Sequence, residues 1–563
     1  MIPLPEALPS NLPNMLVQAA HLRPERGVVL YDKRGKTFER RNYPEFLKCV
    51  QLQAARLSAA GVKPGERVII AAPTSWTWLE NWFGAVWLGA WPVAIAPGAG
   101  FGPSEAQMLK IEAAAEMLGA SRVIGETSLK EELIKYGAKH ASKITSTSEE
   151  LARLSVSSSM AANDADPNAT AFLQLTSGST GRQRAVMISH LAAMHNPMAM
   201  DQAAGAPFGS PGRNWATRVV CWLPLYHDMG LIGCTVYSMV NGLDIWLLRP
   251  ETFLARPRVW LELLGQPGAA LTPAPNFAYQ ACSERVKSED LEGVDLSNWR
   301  AAMTGAEMVR PGTCASFARA FESRGFSAKT FRPCYGLAEA TLAVAIDRKG
   351  AGIRTLPVPG KKEIEETVSL GHAVLDTEIR ILPHTAPIGP GLLEGQIGEV
   401  LVRGPGVFQG YYRDPEATAE CLLENWLRTG DLGFLKEGEL YLTGRVKEIL
   451  ILNGHNVMPH ELETIADTVT GGGGTERSGA FAVSGQGSEQ AVLVAEWAGD
   501  DASTLPNLAY EIRSRIGHAL TLPLADVMFV RRGQIPKTTS GKVQRGELRK
   551  RYLEGKLERI QNS

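Results

Sequence analysis

Thr170-Ala-Phe-Leu-Gln-Leu-Thr-Ser-Gly-Ser-Thr-Gly181 reads as an apolar strand running into a loop of threonine, serine and glycine. The loop itself is Thr176, Ser177, Gly178, Ser179, Thr180 and Gly181. With no bulky side chain, it can bring several backbone N–H groups and hydroxyls to one phosphate, and its glycines tolerate the dihedrals this requires. It is a candidate anion cradle. It is not the P-loop of NTPases, because the GxxxxGK[ST] spacing is absent and Arg184 follows the last glycine by three positions. Loops of small residues are usually plain turns, so the weight comes from the surrounding chain.

A strand this apolar needs a sheet covered on both faces. Upstream, Phe46, Leu47, Val50, Ala54 and Leu57 space out a helix over Tyr43 to Gly61, followed by a strand at Arg67 to Ala72. A second helix through the tryptophans of Trp76 to Trp91 leads to strands at Pro92 to Ala96 and Ser121 to Gly125. Glu80, Asn81 and Pro92 interrupt that helix too soon for a membrane span, so it is expected to be buried. Ser155 to Asn168 has almost no large apolar residue and reads as a surface connector. Strands are expected again at Val219 to Leu223, Ile245 to Leu248 and Ala269 to Thr272. Helices alternating with continuous apolar strands predict mainly parallel α/β subdomains. Glu399 to Val402 and Leu440 to Leu442 suggest a smaller β-rich section; beyond Gly444 the pattern, with strands at Glu448 to Leu452, Phe481 to Val483 and Ala491 to Glu496, becomes a compact α+β unit. The expected fold class is thus α/β and α+β, with a large N-terminal domain over 1–446 and a small mobile C-terminal domain over 447–563.

Composition narrows the function class. The 563 residues exceed one compact core. A formal charge of −1 gives no reason to expect nucleic acid as a partner. The cysteines at 49, 221, 234, 282, 314, 334 and 421 are odd in number and form no CxxC pair, so neither a disulfide framework nor a structural zinc site is expected, and a reducing cytoplasm is the simpler home. The proline-rich N-terminus does not read as a signal peptide. The basic tail, ten Lys or Arg against three Glu over the last 33 residues, reads first as a solvated helix face and second as a surface for an acidic carrier.

Five further stretches place charged or polar residues among glycines where a core would want neither: Pro224 to Gly230 with His227 and Asp228, Thr304-Gly-Ala-Glu307, Tyr335-Gly-Leu-Ala-Glu339, Arg428-Thr-Gly-Asp431, and Pro536 to Lys542. Singly, each is a core histidine, a cap or a surface ion. In this order, together with Leu175 to Gly181, Gly398-Glu-Val-Leu-Val-Arg-Gly404 and Gly444-Arg-Val-Lys447, the chain resembles the adenylate-forming superfamily of acyl-CoA synthetases, fatty acyl-AMP ligases, luciferase and peptide-synthetase adenylation domains, from about residue 30 to 550.

That resemblance implies roles. Thr176 to Gly181, with Arg184, would hold the β- and γ-phosphates of ATP. Thr304, Gly305, Ala306 and Glu307 with Cys334, Tyr335 and Gly336 would form the adenine slot, Asp431 would accept the ribose hydroxyls, and Arg445 would add a cation. Glu339 would hold Mg²⁺. Lys542 would bridge the substrate carboxylate and the α-phosphate, His227 would position the acid, and Lys447 would be the hinge of the small domain. Ala338, where most relatives carry threonine, and 36 residues between Tyr335 and Gly371, with the excess in Asp347 to Val368, resemble the fatty acyl-AMP ligase branch, which passes the acyl group to an acyl carrier protein. The alternatives are an acyl-CoA synthetase that uses CoA and an inactive nucleotide-binding scaffold. Two departures stand out: Gln183-Arg184-Ala185 replaces the usual Pro-Lys-Gly, and Ala96-Pro-Gly-Ala-Gly100 is unlike the stretch of long-chain enzymes, which leaves a bulky or cyclic acid open.

Overall fold

The computed structural model describes residues 9–97, 104–156, 160–176, 183–204, 216–347, 350–360, 366–452, 455–471, 477–484, 489–499, 501–520, 524–537 and 542–560. The opening strand, Thr170–Thr176, is one of six in a sheet ordered Thr145–Thr147, Arg122–Gly125, Arg67–Ala71, Trp91–Ala94, Thr170–Thr176 and Arg184–Ser189. The first five are parallel, and the last is antiparallel, pairing Thr176 with Arg184. The strands that flank the glycine loop therefore pair antiparallel. The return strand Arg184–Ser189 carries no separate sequence signal beyond its apolar run, and the sequence expectation stopped at the loop; residues 177–182 lie outside the described residues.

The continuous apolar strands are explained by their two covered faces. Along Arg67–Ala71, Val68 and Ile70 belong to one hydrophobic core and Ile69 and Ala71 to another, as alternation across a doubly covered sheet requires. The helix Trp76–Leu88 is capped by Ser75, whose hydroxyl accepts from Trp78 N, and ends at Gly89 with φ +84°. Trp78 and Trp82 are fully buried and stacked, as a core helix predicts. Among the described residues no helix is long and apolar enough to cross a membrane.

A second sheet of nine strands holds the larger core. Phe331–Gly336, Trp299–Thr304, Ala270–Ala274, Arg218–Cys221, Asp244–Leu247 and Gly27–Tyr31 lie parallel in that order; Phe38–Asn42 flanks one side antiparallel, and Ala343–Ile346 then His372–Ala373 flank the other. The β-rich section is an antiparallel sheet of Glu378–Leu382, Gly398–Arg403, Trp426–Lys436, Leu422–Leu423 and Glu439–Arg445. In the C-terminal unit Ser478–Ser484, Glu489–Glu496 and Leu524–Val530 form one sheet. Helices Pro459–Val469 and Leu505–Leu520 pack on one face through Leu462, Ile512 and Ile516, and Arg545–Leu553 packs on the other through Leu548. The expected strand at Glu448 to Leu452 is shortened to Leu450–Leu452, because Val446–Glu448 makes a 3-10 turn. The fold class is mixed α/β, a large N-terminal region of mainly parallel sheets with a smaller C-terminal domain.

Candidate active site

The parallel strands of the nine-stranded sheet end at one edge, and the chemistry-bearing loops gather there, where strand ends in open α/β sheets form a crevice. Trp299–Thr304 runs into Gly305 to Glu307, and Phe331–Gly336 carries Cys334, Tyr335 and Gly336. The two turns touch. A Cβ on Gly305 would meet Cys334 O at 2.6 Å, and one on Gly336 would meet Leu342 O at 1.7 Å, so only glycine fits either place. Ala306 adopts φ +69°, and Asn276 fixes its turn: Asn276 N donates to Glu307 Oε1 at 2.7 Å, and Asn276 Nδ2 donates to Met308 O at 2.8 Å.

Asp431, itself buried, sits between buried Tyr335 and exposed Arg445. Tyr335 OH donates to Asp431 Oδ2 at 2.5 Å, and Arg445 Nε donates to Oδ1 at 2.6 Å from the paired strand Glu439–Arg445. Burial, reinforced by Asp431, pushes the Tyr335 hydroxyl well above its ordinary range, so it stays a donor. The Asp431 charge in turn holds the Arg445 guanidinium above its usual value.

Lys542 of the C-terminal domain reaches this cluster. Its surroundings combine Arg445 with Asp431, Asp228 and Glu307, carboxylates from three distant segments. Burial, then Arg445, lowers the Lys542 pKa, and the three carboxylates oppose that shift. His227 lies on the same side, its Nδ1 2.8 Å from Asp228 Oδ1, which also accepts from Met229 N at 2.7 Å. Burial alone would raise the Asp228 carboxyl, but His227, Met229 N–H and Lys542 together outweigh it and leave it below the usual range. A π-helix, Leu231–Val236, follows at once, a distortion frequent at functional sites.

Glu339 belongs to a tight 3-10 turn, Ala338–Ala340, that ends at Thr341 with φ +66°. Tyr411 OH donates to Glu339 Oε1 at 2.7 Å, and the Arg184 guanidinium lies 5.1 Å over the Tyr411 ring and 3.8 Å from Asp414. The arginine that departs from the usual loop is thus tied to the strand-following segment that orients Glu339. A cavity of about 610 Å³ is lined by His227, Met229, Gly233, Met303, Cys334 and Ile346 together with Lys542, Glu339 and Thr176. A wider cleft between the domains, about 3070 Å³, has exposed Lys447 in its lining.

The structure therefore gathers Thr304 to Glu307, Cys334 to Gly336, Asp431, Arg445, His227 and Lys542, and places Glu339 and Arg184 against Tyr411; Ser177 to Gly181 lie outside the described residues. Asp228, Asn276 and Tyr411 were not singled out from sequence. Asp228 sat inside a quoted stretch with nothing to separate cap from partner, and Asn276 and Tyr411 act through contacts with residues 31 and 72 positions away.

Residues 16–412 match the AMP-binding enzyme family. The chain belongs to that family. This AMP-binding enzyme is 30% identical to the long-chain-fatty-acid–AMP ligase FadD26 of Mycobacterium tuberculosis, over 98% of each chain. It is 32% identical, over 94% of its own length and 93% of the other, to a Caulobacter vibrioides protein provisionally named an acyl-CoA synthetase. Its fold superposes on a solved chain from work on fatty acyl-adenylate ligases of E. coli and L. pneumophila with a TM-score of 0.85 at 29% identity, covering 99% of both chains.

Proposed function

We propose that the enzyme activates an apolar carboxylic acid with ATP and passes the acyl group to the thiol of an acyl carrier protein. It is an ATP-dependent acid ligase of the acyl-AMP-forming kind. The substrate carboxylate is itself the nucleophile: it attacks the α-phosphorus, the bond to pyrophosphate breaks, and the acyl adenylate forms. No protein nucleophile is needed. The observation that carries the assignment is that Lys542 of the small domain lines one cavity with His227, Asp228 and Glu339 of the large one. Two anions must approach for the bond to form, and an ammonium between them offsets their repulsion as charge builds. His227, its Nδ1 tied to Asp228, leaves Nε2 for the acid. Asp431, with Tyr335 and Arg445 fixing both oxygens, keeps lone pairs for the ribose hydroxyls.

Mg²⁺ fits the remaining carboxylate. Among the described residues no cluster of three or more His, Cys, Asp or Glu could hold a metal, so Glu339 would act as a lone protein ligand. That suits an ion that keeps its waters and leans on substrate phosphates rather than on a protein cage. Held by Glu339, Mg²⁺ would neutralise phosphate charge. Thr176 to Gly181 and Arg184 take the pyrophosphate end, and the slot from Thr304 to Glu307 and Cys334 to Gly336 takes adenine.

A carrier-protein acceptor is supported by the segment Asp347 to Val368. Thr355–Pro357 and Glu366–Val368 form a hairpin whose Thr367 Oγ1 donates to Leu442 O at 2.6 Å. Arg354 bonds Glu439 Oε1 and Oε2 at 2.7 and 2.8 Å, tying the insertion to the strand Glu439–Arg445 that leads to the hinge at Lys447. These contacts lie within the large domain, so the segment would restrict the swing that a CoA-dependent second step would use only through its hold on the strand that precedes the hinge. The seven free cysteines fit a reducing cytoplasm. CoA remains the alternative acceptor. Pyrophosphate–ATP exchange over a panel of acids, followed by mass measurement of products with CoA or a phosphopantetheinylated carrier, tests the proposal. Acid-dependent exchange with acyl-carrier product supports it, rapid acyl-CoA formation moves it to the synthetase branch, and exchange with no acid defeats it.

A further inference from the structure

Asp431 stands in a break of strand pairing. Between Gly398–Arg403 and Trp426–Lys436, Leu401 pairs with Arg428 and Glu399 with Leu432, so Val400 alone separates the pairs on one strand where Thr429, Gly430 and Asp431 separate them on the other. Extra residues on one strand make a bulge, which bends the backbone and re-aims side chains. Gly430, at φ +71°, takes the bend. A bulge also deprives backbone groups of their ladder partners, and buried ones need others.

Glu399 and Thr429 supply them. Glu399 Oε1 accepts from Gly430 N at 3.3 Å. Thr429 Oγ1 donates to Val400 O at 2.8 Å and accepts from Asp431 N at 3.0 Å. Glu399 is 3% exposed, on a strand buried from Gly398 to Val402, where a carboxylate is costly unless charge and hydrogen bonds match it. Arg428 matches it: Nε donates to Glu399 Oε2 at 3.0 Å, Nη2 lies 2.8 Å from the same oxygen, and Nη1 donates to Ala386 O at 2.8 Å. His384 Nδ1 lies 3.3 Å from that oxygen as well. One buried carboxylate thus grips the residue before the bulge and the glycine inside it. A strand that only had to pack would carry an apolar residue here. Glu399, Arg428 and Gly430 line the cavity that also takes in His227 and Lys542, and Asp431 lines the wider cleft with Tyr335 and Arg445.

We propose that Glu399 is a positioning residue for the nucleotide: by gripping Arg428 and Gly430 it holds the bulge in the conformation that aims the Asp431 carboxylate at the two ribose hydroxyls of ATP. This rests on the acyl-AMP ligase reading and on Asp431 as its ribose acceptor. Tyr335 and Arg445 fix the two carboxylate oxygens. Glu399 fixes the backbone from which that carboxylate projects, and it acts through Gly430 rather than on the substrate.

The test is pyrophosphate–ATP exchange on the full chain with an accepted acid, run with ATP and with dideoxy-ATP, which lacks both ribose hydroxyls, for wild type, Glu399→Ala and Glu399→Gln. Wild type is expected to favour ATP by at least about 100-fold in kcat/KM, since a site built to bind hydroxyls rejects an analogue without them. Glu399→Ala is expected to lower that ratio at least about tenfold, through KM for ATP, while exchange with dideoxy-ATP changes less than about threefold. Glu399→Gln keeps an oxygen for Gly430 N–H but not the charge facing Arg428, and should recover part of the ratio while staying at least about threefold below wild type. Damage to the fold alone would slow both nucleotides equally and leave the ratio untouched; that result in folded Glu399→Ala overturns the proposal. Should the alanine variant not fold, the glutamine variant decides, and a wild-type ratio there overturns it. A wild type that does not distinguish the two nucleotides defeats Asp431 as the ribose acceptor and this proposal with it, leaving the ligase standing; exchange with no acid defeats the ligase reading itself.

Discussion

At the scale of the residue, Lys542 carries two predictions. Adenosine, ribose and phosphate contacts are spread over other motifs, so Lys542→Ala is expected to lower pyrophosphate exchange by at least about 100-fold while ATP binding, followed by calorimetry, changes little. Loss of binding in step with activity would contradict its assignment. The second concerns pH. Lys542 works as an ammonium, and burial with Arg445 has lowered its pKa, so exchange should decline as pH rises through a value below the ordinary lysine range. Arg445→Gln removes a repelling cation and releases Asp431 to Lys542; both effects favour the ammonium, so the alkaline limb should move to higher pH in exchange-rate profiles. Lys542 was legible because a glycine and a lysine close an ordered series of motifs. Its receptacle was not, since no spacing connects residues 228, 307, 431 and 542.

At the scale of the element, the alternation of helices with apolar strands was legible because both faces of each parallel sheet are covered, so the strands carry unbroken apolar runs. The return strand Arg184–Ser189 was missed because an apolar run after a loop is equally consistent with a helix start. Gly27–Tyr31 and the edge strand Phe38–Asn42 beside it were missed as well; Phe38-Glu-Arg-Arg-Asn42 is exposed to half-buried and carries no alternation to read. Glycines in the site motifs give a sharper element-level test than propensity does. At Gly336 an added Cβ would lie 1.7 Å from Leu342 O and 2.6 Å from Leu342 C, both backbone atoms of the neighbouring turn. Gly336→Ala should therefore cost more than about 3 kcal/mol and drop Tm by several degrees in scanning calorimetry. Gly312, in the first turn of Pro311–Phe321, faces open space, and Gly312→Ala should be neutral or stabilising by up to about 1 kcal/mol. Equal losses at both positions would mean that the tight turn at the adenine slot is not what holds Gly336.

At the scale of the whole molecule, the position of the small domain is recorded in contacts that cross to the large one. Arg310 Nη1 donates to Asp467 Oδ2 at 3.2 Å, Arg477 lies 3.5 Å from Glu284, and Lys542 lines one cavity with His227 and Asp228. Asp467 is the useful reporter. Burial pushes its carboxyl up to about 7, Arg310 and Ser478 pull it down, and Glu463, itself paired with Arg545, pushes it further up. Its unfolded value is that of an ordinary carboxylate near 3.8, so between that pH and about 7 the native chain keeps a proton the unfolded chain has lost. Stability must then fall as pH rises across this window and level off above it. Arg310→Met removes the cation that restrains Asp467 from across the domain boundary. The native pKa should climb beyond 7, and the falling limb of Tm against pH should extend to more alkaline values, with Glu463 and Arg545 unchanged as the internal control. The same variant should weaken the hold on the small domain and lower pyrophosphate exchange several-fold without altering ATP affinity, since Arg310 belongs to no nucleotide contact assigned above. A limb that stays where it is in the variant would mean that Asp467 does not feel Arg310 in solution, and that the approach of Lys542 to the acid site is maintained by the hinge segment rather than by this bridge.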